Sequence, residues 1–148
     1  MSTTEKQLEL KIDARLENLW VIAKFVATSM KRLGIKEGIF EAELAVDEAC
    51  TNIVKYAYSS RGGIITVTCE LKDRNFVVTI RDRGKSFDPA SIPLPDLDSD
   101  LDKRKVGGLG IYMMRKLMDD INYSFDAEKG NTLVMRKQLT AKEPGPSR

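Results

Sequence analysis

The sequence predicts an α+β fold, a mostly antiparallel sheet with helices on one face. Three observations point there. Strand-like alternation and helix-like periodicity come in groups, in the order β-α-α-β-β-loop-α-β-β. Two strand pairs are separated by connections short enough to be hairpins, which makes those pairs antiparallel. The chain has 148 residues, the length of one domain. A domain of that size buries roughly 68–70% of the surface its unfolded chain exposes.

Taken in order, residues 6–12 (KQLELKI) alternate, with Leu8, Leu10 and Ile12 on one face, and read as a half-buried strand. Residues 14–33 read as an amphipathic helix with Leu16, Leu19, Trp20, Ala23, Ala27 and Met30 as its core stripe, stopped by Gly34. Trp20 is expected in the core. A second helix spans about Glu37 to Tyr58 and is broken by SSRGG. IITVTCELK and NFVVTIRD follow as strands, facing inward through Ile65, Val67, Cys69, Leu71 and through Phe76, Val78, Ile80. A proline- and aspartate-rich segment at about 89–106 has the length of a lid or an unstructured loop. A third helix is expected from near Gly110 to about Met118, then a closing strand pair, INYSF and NTLVMRKQL, around DAEKGN. The expected domain is 6–139, with disordered ends at 1–5 and 140–148.

Composition narrows the function. Lys and Arg total 24 against 22 Asp and Glu, a net charge of +2, which gives no electrostatic case for nucleic acid or an anionic membrane as partner. No apolar run is long enough to span a bilayer, and MSTTEKQ lacks a signal core, so a cytoplasmic protein is expected. There is no histidine. That removes Ser-His-Asp and Cys-His catalysis and histidine metal sites. The two cysteines, Cys50 and Cys69, are expected as buried free thiols.

Four stretches carry candidate chemistry. On the helix EAELAVDEACTNIVKYAY, Leu44, Ala45, Ala49, Ile53 and Ala57 form an apolar stripe that also holds Glu48 and Asn52. Residues four apart lie one above the other, so a carboxylate and a carboxamide project together. The ordinary reading of such a pair is a solvated edge and a local cap. In IRDRGKSFDP, Asp82 ends a strand, where its carboxylate can accept from an exocyclic amine, and Gly84 lets the chain pass close to a ligand. A plain Asp-Gly turn is the alternative. In VGGLGIYMM, Gly107, Gly108 and Gly110 lead into a helix, whose free N–H groups suit phosphate; a hinge is the alternative. Thr132 follows Gly130 in the last strand. DLDSDLD mimics the start of a calcium loop but has Leu101 where glycine is required and Gly107 where glutamate is required.

Together and in this order, EACTN, DRGKSFDP, GGLGIYMM and GNT resemble the N box, the two glycine boxes and the threonine motif of the Bergerat-fold ATPase and kinase superfamily, over about residues 6–138. Within it, the free-standing form and the FDP ending most resemble the bacterial anti-sigma factor serine kinases. Ser86 and Tyr56 depart from the proline and histidine common there. The resemblance implies a Bergerat-type two-layer sandwich, with three helices on one face of the sheet and a lid. It implies ATP and Mg²⁺, with Asn52 holding the metal and Glu48 as general base. Asp82 would read adenine with room given by Gly84. Gly107, Gly108, Leu109 and Gly110 would cradle phosphates, and Thr132 would support Asp82. Arg104 and Lys105 are candidates for the γ-phosphate and could equally be solvated lid charges. Implied partners are a sigma factor, a STAS-type antagonist phosphorylated on serine, and a second copy of the chain through the first strand and nearby surfaces. The alternative is a silent nucleotide-binding module acting by sequestration alone. The ATP-binding half of a histidine kinase fits less well, because there is no histidine.

Overall fold

A computed structural model describes residues 7–86 and 114–139. Strand β1 (Gln7–Asp13) is followed by a 3₁₀ turn (Leu16–Asn18), helix α1 (Leu19–Arg32) and helix α2 (Ile39–Asn52). A π-turn (Ile53–Ala57) extends α2; then come β2 (Ile64–Lys72), β3 (Asn75–Asp82), β4 (Asp120–Asp126) and β5 (Gly130–Gln138). Residues 114–117 are also helical. The five strands form one sheet in the order β1-β2-β3-β5-β4, and every neighbouring pair is antiparallel. Among the described residues no helix is long and apolar enough to cross a membrane.

The sheet is two-faced because its strands alternate. Ile65, Val67 and Cys69 of β2, Phe76, Val78 and Ile80 of β3, and Leu133 and Met135 of β5 are buried on one face. Ala42, Ala45, Val46, Ala49, Cys50, Ile53 and Val54 pack onto them from the α2 side. The outer face is polar: the register lines up Lys11, Thr66, Arg81, Thr132 and Ser124 in one row across all five strands. Both cysteines are free and buried, and burial pushes the Cys69 thiol up to about 12, opposed by a hydrogen bond with Ser29. These are packing residues, inert as nucleophiles.

Helix α1 is where expectation and structure part. Its buried stripe is Ile22, Val26, Ser29 and Met30. Trp20 is 68% exposed and Leu16 50% exposed. The helix starts at Leu19 rather than at residue 14, and Leu16 belongs to the preceding 3₁₀ turn. Trp20 and Ile22 are two residues apart, roughly 200° around a helix, so the helix cannot bury both. The longer apolar run Ile22, Val26, Met30 takes the core. On α2, Leu44 is only half-buried, while Val46 and Cys50 join the core.

Candidate functional site

Helix α2 delivers two of the expected side chains. Asn52 is its last residue and is 2% exposed. Its Nδ2 has no hydrogen-bond partner among the described residues. A buried carboxamide with a spare polar atom is costly unless a ligand or water completes it. Glu48, one turn earlier, is half-buried. Burial raises its pKa above the ordinary carboxylate range, the neighbouring Asp47 charge raises it further, and Lys55 pulls it back. A raised carboxylate suits a proton acceptor working near neutral pH.

Strand β3 delivers Asp82, which is 5% exposed. Its Oδ1 accepts from the Gly84 backbone N–H at 2.8 Å and from Asn131 Nδ2 at 2.8 Å. Burial raises the Asp82 pKa, while the bonds from Asn131 and Gly84 lower it. Asn131 is held in turn, its Oδ1 accepting from the Tyr123 hydroxyl at 2.9 Å, and its Nδ2 also reaches the Gly84 carbonyl at 3.1 Å.

The register explains why Asn131 rather than Thr132 does this. Asn131 pairs with Asp82, whereas Thr132 pairs with Arg81. Directly paired residues share a face and neighbours alternate, so Thr132 belongs to the outer face. The side chain supporting Asp82 is therefore one position earlier than the sequence reading placed it. Counting back along β5 from the inward-facing Leu133 would have found it.

The loop after Asp82 is joined to the end of α2. Lys85 N–H donates to the Ala57 carbonyl at 2.7 Å, and Arg83 N–H donates to the Tyr58 hydroxyl at 2.8 Å, which itself donates to the Ile64 carbonyl at 2.8 Å. A side chain at Gly84 would overlap the Ala57 carbonyl, so glycine is required by close approach. At Gly130, φ is +92° and a Cβ would overlap the Asp82 carbonyl. The π-turn places Ala57 for this contact, and such turns are frequent at functional sites.

Asn52 and Asp82 thus line one small pocket with Ala49, Ile53, Met114, Tyr123 and Leu133. This corner of about 20 Å³ offers a carboxylate, an amide and apolar walls, groups that can meet one polar edge of a ligand rather than enclose a whole nucleotide. Among the described residues no cluster of three or more His, Cys, Asp or Glu could hold a metal. If Mg²⁺ binds here with phosphate and water, Asn52 would hold it through its side-chain oxygen, while the spare Nδ2 can only donate, to a ligand oxygen or a water. Gly107, Gly108, Leu109, Gly110, Arg104 and Lys105 lie outside the described residues, as do the start of the third helix, the lid at about 89–106 and both termini.

Comparison with known proteins agrees with this geometry. A family model described as a histidine kinase-like ATPase domain matches residues 12–137. The chain is similar to a serine-protein kinase RsbW of Bacillus cereus (strain G9842), 32% identical over 139 residues, covering 90% of this chain and 86% of that one. It is likewise similar, at 31% identity and the same coverage, to proteins of that name in Bacillus anthracis and Bacillus thuringiensis (strain Al Hakam). With the fold, the Asn52–Asp82 pocket and these matches in hand, the chain belongs to the histidine kinase-like ATPase family, in the group of the RsbW serine-protein kinases.

Proposed function

We propose that this protein is an ATP-dependent serine kinase that acts as an anti-sigma factor, sequestering a sigma factor and phosphorylating a STAS-type antagonist on serine. The observation that carries this reading is the convergence of Asn52 and Asp82 on one pocket, with Glu48 a helical turn from Asn52. Asp82, fixed by Asn131 and Gly84, accepts from the adenine amino group. Gly107, Gly108, Leu109 and Gly110 would receive the phosphates, with Arg104 and Lys105 as candidates for the γ-phosphate. Asn52 would hold Mg²⁺, which supplies charge neutralisation at the phosphates.

Glu48 takes the proton from the substrate serine hydroxyl. As that O–H bond breaks, the serine oxygen bonds to the γ-phosphorus, the β–γ bridging P–O bond breaks, and ADP leaves with its electron pair. The new phosphate adds about 1.5–2 negative charges to the antagonist, which would break the complex by adding charge at its interface. The half-buried, proton-avid Glu48 favours catalysis over a silent nucleotide module.

The decisive experiment mixes the protein with γ-labelled ATP, magnesium and candidate serine-bearing partners, beside a Glu48→Gln control. Label on a serine, lost in the control, is the expected result. Nucleotide binding without transfer to any cognate partner would leave only sequestration.

A further inference from the structure

We propose that the outer face of the sheet carries a docking site for an acidic segment of a partner polypeptide, seated between Lys11, Arg81, Arg83 and Lys129. These four cations line a cavity of about 490 Å³ on the side of the sheet away from the helices. Lys11, Thr66 and Arg81 stand in one cross-strand row and form its floor. Among the described residues, no carboxylate lies within ion-pairing distance of Lys11, Arg81 or Lys129, and Arg83 Nη1 bonds only the Glu128 carbonyl, at 2.8 Å. Asp82 touches the cavity, but its Oδ1 is taken by Asn131 and Gly84. Four cations against the one lining carboxylate of Asp82 leave the concavity with an excess of positive charge, which favours entry of an anion. The nucleotide pocket does not use any of them.

The walls say what kind of anion. The Tyr58 ring and Ile64, 48% exposed, give the cavity an apolar side. Carboxylates flanking one apolar side chain match it. A continuous phosphate backbone matches less well, because Glu9 and Asp13 flank Lys11 on the same face of β1 and interrupt any basic track. A second copy of the chain across a twofold axis here would set these cations against their own counterparts, at a cost. The inference stands apart from the kinase reading, since it uses neither Glu48 nor Asn52.

The test uses the full chain and a short fluorescein-labelled peptide of Asp, Glu and Leu, read by anisotropy at low and high salt. A Lys-for-acid peptide and a single-stranded oligonucleotide serve as comparators. Expected are saturable binding of the acidic peptide and weakening by at least about tenfold in Lys11→Glu/Lys129→Glu. A smaller loss is expected in Lys11→Gln/Lys129→Gln, with ATP-analogue affinity unchanged in both, which shows that the variants fold. Absence of saturable binding, equal binding by the charge-reversed variant, or preference for the oligonucleotide would overturn the proposal. A change in oligomeric mass without loss of peptide binding would also overturn it, by assigning the face to a second copy.

Discussion

Asn131 holds more of the site together than its place in the sequence suggests. One amide spans the Asp82 carboxylate and the Gly84 carbonyl, while its oxygen receives the Tyr123 hydroxyl. Asn131→Ala should cost about 1–3 kcal/mol in urea unfolding by stranding buried partners, and should weaken nucleotide binding in calorimetry. Thr132→Val, on the other face, should stay within about 0.5 kcal/mol of the parent and bind nucleotide normally. Glu48 carries a pH prediction. As the proposed base it must be ionised, so transfer should fall as pH drops through its raised pKa, and Lys55→Ala should move that acid limb to still higher pH. For stability the sign is opposite. The protonated form is favoured in the fold, so its contribution is fully present below the ordinary value of 4.5 and is lost as pH rises through the raised one. Glu48→Gln should therefore abolish transfer yet melt higher than the parent at neutral pH, by calorimetric scanning.

At the scale of elements, much was legible because periodicity reports burial directly. β2 and β3 were found with their inward faces, since the apolar residues Phe76, Val78 and Ile80 alternate in sequence and are all fully buried, although Thr68 and Thr79 on the other face are buried too. The hairpin between them was readable from its length, and Asp73 and Arg74 do take the left-handed conformations a tight turn demands. Helix α1 was legible as a helix but not in phase, because VIAKFVATSM offers apolar residues on more than one side and only the sheet decides which is covered. The π-turn left no sequence signature, since a single widened turn keeps the same residue types. Its effect is measurable. Tyr58→Phe removes the acceptor for Arg83 N–H and should cost about 1–3 kcal/mol in urea unfolding, with weaker nucleotide binding. Gly84→Ala should cost about 3 kcal/mol by forcing the loop off the Ala57 carbonyl.

For the whole molecule, the exposed apolar groups are where contact with another chain would bury the most surface. Leu16 in the 3₁₀ turn and Trp20 at the start of α1 are both exposed, and β1 is the outermost strand of the sheet on that side. Such features are where a partner gains most from contact. The chain has one tryptophan, so its emission reports this patch without mutation. The isolated monomer should emit as water-exposed indole and quench readily with acrylamide. A blue-shifted, protected emission that reverts on dilution, followed by sedimentation, would show instead that a second copy covers α1. The contact between Lys85 N–H and the Ala57 carbonyl has a further consequence at this scale. Both of its atoms are main-chain, so most side-chain substitutions leave the bond itself in place. The spacing between Asp82 at the end of β3 and Asn52 at the end of α2 is thus set by main-chain atoms and insulated from most side-chain changes.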